Sequence, residues 1–304
     1  MIEAISLTKR YGAQTVVSDV SFVCEPGTVT GFLGPNGAGK STTLKMLCGL
    51  AEPSSGRATV AGVAFKSLPN PGRRVGVLID ASAQHAGRRG LEVLATSAQL
   101  IGVDRERPMQ LLELVGLDRR AARKRVAKFS LGMRQRLGIA HALLGDPQVL
   151  ILDEPANGLD PEGMRWMREL LRDFAQRGGA VLLSSHLLHE VRLTADRLVV
   201  IAGGRIVAQG TADELLGGGH GQTLVRSADS GATDAALRRA LADAGIDFKE
   251  GEGGRLLTSA PPRAVGRAAL AGGVALAELG AADAGEDLEQ LFFELTNSAQ
   301  EATR

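Results

Sequence analysis

Cysteine is nearly absent: Cys24 and Cys48 are the only two in 304 residues. Two thiols cannot build a disulfide framework, and they read as small core residues of a reducing compartment. Long apolar runs are missing as well. None approaches the ~20 residues that a membrane-crossing helix needs. Neither sign of charge is in excess, since Lys and Arg total 35 against 34 Asp and Glu. That balance removes any bulk electrostatic case for nucleic acid or an anionic membrane. Aromatic residues make up 3% of the chain. None interleaves the six basic residues between Arg119 and Lys128, so that run reads as a solvated helical face, not a nucleic-acid surface. No His/Cys grouping has zinc spacing, and the opening Met1-Ile-Glu-Ala-Ile5 lacks the layout of a secretory signal. These absences together lead us to expect a cytoplasmic chain without direct membrane insertion. If it acts at a membrane, it does so through a partner.

Glycine is plentiful, with 39 residues, and one glycine-rich stretch organises the rest. Leu33-Gly-Pro-Asn-Gly-Ala-Gly-Lys-Ser-Thr-Thr43 contains Gly34-x-x-x-x-Gly39-Lys40-Ser41, the phosphate-loop pattern. Gly34, Gly37 and Gly39 let successive N–H groups turn inward as an anion nest, and Pro35, Asn36 and Ala38 between them count as cofactor-binding positions of the same loop. Lys40 reaches the β- and γ-phosphates of a nucleotide in such a loop, and Ser41 offers its hydroxyl to Mg²⁺. Thr42 lies in the first helical turn, whose positive end favours an anion. Thr28 to Leu33 reads as a strand entering the loop. Thr42 to Leu47 reads as the helix leaving it, with Gly49 as its stop.

The remaining pattern is α/β. Ile2 to Leu7 alternates like an edge strand, and Val16 to Val23 continues as strand. Ser54 to Gly62 holds a short strand between turns. Arg74 to Ile79 is a buried strand that runs into Asp80. Leu91 to Ala142 turns helical, with Pro108 to Val115 as a second helix. Val149 to Leu152 and Ala180 to Ser184 are continuous apolar strands of the kind found inside a parallel sheet. Pro161 to Arg177 is an amphipathic helix between them, and Leu198 to Gln209 is a hairpin turning at Gly203-Gly204. Gly217 to Gly219 reads as a linker. Beyond it, strand 223–226, helix 233–244, strands 248–250 and 255–258, helix 263–270 and strand 274–279 give the order βαββαβ, which is ferredoxin-like. Asp287 to Leu295 reads as a last amphipathic helix.

Two acids follow the Val149–Leu152 strand. A carboxylate at the end of a central strand lies beside the phosphate loop of an open parallel sheet. Asp153 suits a Mg²⁺ ion and its water shell, and Glu154 suits polarisation of an attacking water. His186 follows the Ala180–Ser184 strand, where it can sense a γ-phosphate. His85, His141, His189 and His220 read as ordinary histidines.

Phe129-Ser-Leu-Gly-Met-Arg-Gln-Arg136, upstream of the acid pair, resembles the Leu-Ser-Gly-Gly-Gln signature of the ABC transporter ATPases. Tyr11, the phosphate loop, the Asp153-Glu154-Pro155 element, Asn157-Gly-Leu-Asp160 and Ser185-His186 stand in that family's order. The resemblance covers residues 2 to about 216. It implies a phosphate-loop NTPase domain over 1–216, with an antiparallel β-subdomain and a helical subdomain near 85–145. A linker at 217–221, a small α+β domain at 222–283 and a helix and tail at 284–304 would follow. It further implies that Tyr11 stacks on adenine and that Asp160 lies in a loop crossing a head-to-tail homodimer. Ser130 and Gly132 would contact the ATP held by the opposite subunit, and His186 would be the switch histidine. The cofactors implied are ATP and Mg²⁺, and the partner is a separate transmembrane permease. Leu131 and Met133 replace the usual Gly and Gln. Asp80 stands where the family presents Gln to Mg²⁺, which makes it a candidate metal ligand. Those departures, with Leu288 to Leu295, resemble the branch that exports drugs and peptide antibiotics. The competing readings are an ABC ATPase acting on ribosomes or DNA, and a regulatory phosphate-loop switch. The signature segment argues against the second.

Overall fold

The computed structural model describes residues 1–215, 223–228 and 231–281. The expected linker at 217–221 and the Asp287–Leu295 helix lie outside the described residues. Two compact units divide the chain, one covering Met1–Thr211 and the other starting at Ala212.

The first unit opens with β1 (Ile2–Tyr11) and β2 (Gln14–Cys24). The buried strand β3 (Val29–Leu33) then runs through the phosphate loop into α1 (Lys40–Leu47), and β4 (Ser55–Val60) follows. β1, β2 and β4 form an antiparallel sheet in the order β2-β1-β4. The alternating β1 was expected at an edge. It is central instead, with Ile2 paired to Cys24 on one side and Val60 on the other. Alternation reports that one face of a strand is buried and says nothing about lateral pairing.

The main sheet adds β5 (Val75–Leu78), β6 (Val149–Asp153), β7 (Ala180–Ser185), β8 (Arg197–Ala202) and β9 (Arg205–Gly210). Its order is β5-β6-β7-β3-β8-β9. All neighbours are parallel except the β8–β9 hairpin. β3, β6 and β7 are buried at every position, which is why their sequences run apolar without alternation. The carboxyl ends of these parallel strands, where loops meet helix N-termini, define one edge for ligands.

Helices α2 (Gly90–Ile101), α3 (Arg107–Leu114), α4 (Arg119–Ala122) and α5 (Leu131–Ala142) fill the stretch between β5 and β6. The basic run from Arg119 was expected as one helical face, but only the four residues of α4 are α-helical, and Val126–Lys128 form a separate 3-10 turn. Past them the backbone turns away to pair with the chain ahead of α2: Val126 N–H donates to Arg88 O and Gly90 N–H to Lys124 O. The six basic side chains remain exposed. α6 (Pro161–Gln176) buries Met167, Leu171 and Phe174, and starts with Pro161 behind the cap of Asp160, which accepts from Gly163 N–H at 2.9 Å. α7 (Leu188–Arg192) follows β7.

The second unit starts with α8 (Ala212–Leu215). Then come β10 (Thr223–Ser227), α9 (Ala232–Asp243), β11 (Lys249–Glu250), β12 (Leu256–Thr258), α10 (Pro262–Ala271) and β13 (Leu276–Ala281). The element order is βαββαβ from β10 onward. The sheet runs β11-β12-β10-β13 and is antiparallel throughout. It has its own core of Val225, Leu237, Leu241, Leu256 and Val265.

Candidate functional site

The phosphate loop is shaped by close backbone approaches. A Cβ at Gly34 would lie 2.2 Å from Ile201 O, and Gly39, at φ +104°, would place one 2.9 Å from Val16 O. Any larger residue there pushes the loop off β8 or β2. Gly37 differs: a Cβ there would meet nothing within 4 Å, and its φ of +81° is what calls for glycine. It lines the pocket beside Pro35 and Asn36, whereas Ala38 is buried against the core. Gly39 also occupies the N-cap of α1 without a side chain to satisfy the first turn, and that turn carries no acid. The free N–H groups and positive helix end therefore face the loop. Thr43 is turned inward, its hydroxyl donating to Gly39 O at 2.9 Å. Ser41 is exposed and lines the pocket with Thr42.

That pocket, of about 240 Å³, is lined by the loop, the start of α1 and Glu154. Lys40 is buried and donates from Nζ to Gly34 O at 2.6 Å and Pro35 O at 3.3 Å. Its ammonium lies 3.6 Å from Glu154 Oε1. The other carboxylate oxygen, Oε2, is 2.9 Å from His186 Nδ1. Glu154 itself has φ +47°, rare for a residue with a side chain and typical of functional turns. Its N–H donates to Ser184 Oγ at 3.0 Å, and Ser184 donates its proton to Asp153 Oδ1. Asp153 is buried at the end of β6, in register with Ser184 on β7.

The structure thus brings together the phosphate loop, Lys40, Asp153, Glu154 and His186. Other expected residues lie elsewhere. Ser130 caps α5 by accepting from Met133 N–H at 3.2 Å, and it is exposed. Gly132 packs against the next loop, where a Cβ would be 2.5 Å from Gly158 O. Asp160 caps α6. Tyr11 sits in the β1–β2 hairpin at 53% exposure, with Lys9 Nζ 4.9 Å above its ring. None of these lines the phosphate-loop pocket. Asp80 does not either. It is exposed and caps its own turn, accepting from Ser82 N–H at 2.7 Å and Ser82 Oγ–H at 2.6 Å. Those two bonds, with a smaller contribution from Lys45, hold its carboxyl below the usual aspartate range.

Two residues at the site were not singled out from the sequence. Ser184 ends the apolar run of β7 with a polar group, the same signal that marked Asp153. Gln135, buried on α5, donates from Nε2 to Glu154 O at 2.7 Å. Nothing local in the sequence distinguishes it from the half-buried arginines on either side.

A family model described as ABC transporter matches residues 17–157. The bacitracin transport ATP-binding protein BcrA of Bacillus licheniformis is 41% identical over 218 residues, covering 71% of each chain. The chain belongs to the ABC transporter ATP-binding proteins. The lantibiotic transport ATP-binding protein SrtF of Streptococcus pyogenes is 36% identical, over 69% of this chain and 90% of the relative. Among solved structures, an ATP-binding subunit of an ABC transporter superposes with a TM-score of 0.65 at 33% identity, over 71% of this chain and 91% of that one. A dimeric bacterial ABC cassette shares the fold, with a TM-score of 0.64 at 21% identity.

ABC ATPases take ATP with Mg²⁺ and hydrolyse it, and this site fits both. The loop offers an uncapped helix end, an ammonium and a glycine-shaped cradle for a triphosphate. No cluster of three or more His, Cys, Asp or Glu positioned for a metal exists among the described residues. Mg²⁺ does not need one, because it takes one carboxylate, a hydroxyl, water and phosphate oxygens. Ser41 and Asp153 are the groups that would hold it.

Proposed function

We propose that this ABC ATPase is the energy-supplying subunit of an exporter for a drug-like or peptide antibiotic compound. It works as a head-to-tail homodimer beneath a separate membrane permease, held at the inner membrane face by that partner. The observation that carries the catalytic reading is the convergence on Glu154: Lys40 on one carboxylate oxygen and His186 on the other. Gly34 to Thr42 cradle the phosphates, with Gly37 at the turn of the nest, and Lys40 balances the β- and γ-phosphate charge. Ser41 and Asp153 would hold Mg²⁺, which would supply positive charge for the phosphate oxygens. Glu154 accepts the proton of the attacking water, and His186 Nδ1 holds its carboxylate in place. Tyr11, with a ring face exposed, stacks on adenine. Ser130 and Gly132, exposed or half-buried at the start of α5, close on ATP in the opposite subunit, while Asp160 lies in the loop that crosses between subunits. The transport reading rests on relatives named for bacitracin and lantibiotic transport. No described helix is long and apolar enough to cross a membrane; the pathway for the compound is assigned to the partner.

Mixing tests the shared site. Lys40→Ala supplies an intact signature and Ser130→Arg an intact phosphate loop, so together they should build one working composite site. A mixture no faster than either variant alone removes the head-to-tail model. Affinity purification from solubilised membranes should recover a polytopic membrane protein. Recovery of ribosomes or DNA in its place overturns the transport reading.

A further inference from the structure

Gln135 is 4% exposed and sits on α5, five residues past Ser130. Its bond to Glu154 O fixes its orientation by chemistry. A carbonyl only accepts, so the amide must present its NH₂ group there. The consequence is that Oε1 is buried with no hydrogen-bond partner among the described residues. An unpaired buried amide oxygen is a cost to folding that an apolar side chain of similar size would avoid. That cost offsets what the Nε2 bond contributes, so folding gains little from the amide.

What the amide holds is the backbone of a residue at φ +47°. Glu154 is pinned at both ends: its N–H by Ser184 on β7, its C=O by Gln135 at 2.7 Å and by Asn157 N–H at 3.2 Å. Without Gln135 the carbonyl keeps only the longer local bond, and the peptide can rotate towards ordinary φ. That rotation swings the carboxylate away from Lys40 and His186. The same helix reaches the far end of this loop, with Gly132 against Gly158 and Arg136 Nη2 at 3.9 Å from Asp160 Oδ1.

We propose that Gln135 is a positioning residue for ATP hydrolysis: it pins the Glu154 peptide and makes the aim of the carboxylate depend on where α5 sits. Because α5 carries the signature segment at its start, a shift of that helix changes the aim of Glu154 in its own subunit. This rests on Glu154 being the hydrolytic carboxylate.

The test uses the full chain and three variants. Gln135→Leu should lower kcat about tenfold, the factor that loss of one good hydrogen bond corresponds to. Its Mg-ATP affinity should stay within about twofold, and its melting temperature should stay close to the parent's, because losing the Nε2 bond and losing the orphan oxygen act in opposite directions. A lower melting temperature with unchanged kcat marks a merely structural residue and overturns the proposal. Gln135→Glu preserves shape and carries a donor only when protonated. Its activity relative to the parent should rise as pH falls and drop as pH rises; a pH profile parallel to the parent's overturns the proposal, even if Gln135→Leu fails to fold. Adding Gln135→Leu to Glu154→Gln should slow the residual rate no further, since no carboxylate is left to aim, and a further tenfold loss overturns the proposal. Should Glu154→Gln alone turn over like the parent, the hydrolytic role of Glu154 falls. Should Glu154→Gln be inactive while Gln135→Leu is normal, only the positioning role falls.

Discussion

β5 and β6 are neighbours in register, from Val75 beside Val149 to Leu78 beside Leu152, and each runs into an acid. The two acids meet different fates. Asp80 folds back on Ser82, two residues away, and stays exposed. Asp153 and Glu154 are met from other elements: Ser184 from β7, Gln135 from α5, Lys40 from the phosphate loop and His186 from beyond β7. β5 is an edge strand of its sheet, whereas β6 has a parallel neighbour on both sides. An acid after a strand becomes part of a site when distant elements supply its partners, and an edge position withholds them.

The sharpest way to break this comparison is Glu154→Gln. It should slow hydrolysis by ~10² or more, the scale of a positioned acid–base group, while equilibrium titration shows Mg-ATP binding retained. Size-exclusion runs of that variant with Mg-ATP should show a dimer, and only monomer would count against a closed ATP-bound pair.

Lys40→Ala comes next. It leaves phosphate charge uncompensated in the nest, and nucleotide affinity should fall by roughly 10- to 100-fold, the range for a lost charge-assisted hydrogen bond. Unchanged affinity would remove the phosphate-loop reading.

Ser184→Ala strips the link between Asp153 and the Glu154 N–H. It should lower kcat about tenfold and destabilise the fold by about 1–3 kcal/mol, because a part-buried N–H loses its acceptor. A variant with normal kcat and normal thermal unfolding would show that β7 does not hold the second acid.

Asp80→Asn should have the smallest effect. Asn accepts the same turn bonds, so ATPase rates against Mg²⁺ concentration should superimpose on the parent's within about twofold. A shifted Mg²⁺ dependence would make Asp80 a metal ligand and erase the contrast between the loops. Any stability difference has a defined sign. The folded carboxyl lies below the usual value, so its contribution is present above pH ~3.9 and is lost as pH falls through the folded pKa. A small gap in melting temperature at pH 7 should therefore close in acid.

The elements were legible where local pattern carries the signal. The phosphate loop is one contiguous peptide whose glycines, lysine and serine all act within eight residues of chain. The apolar runs of β3, β6 and β7 announce a buried parallel sheet. The short elements of the second unit follow the order read from turn residues and alternation. Legibility failed where neighbours decide. Alternation in β1 could not tell an edge strand from a central one. The basic run at Arg119–Lys128 looked helical until backbone pairing with Arg88 and Gly90 ended α4.

The site divides along the same line. Residue types and spacing along the chain determined that a triphosphate loop exists, that acids follow β6 and that a histidine follows β7, because each depends on groups close in sequence. Tertiary structure alone decided which acid meets the phosphate loop. Sheet register sets Ser184 beside Asp153, and packing of α5 brings an amide to the Glu154 carbonyl. Those partners lie 31 and 19 residues away along the chain, and hydrogen bonds form over about 3 Å of space whatever the separation in sequence.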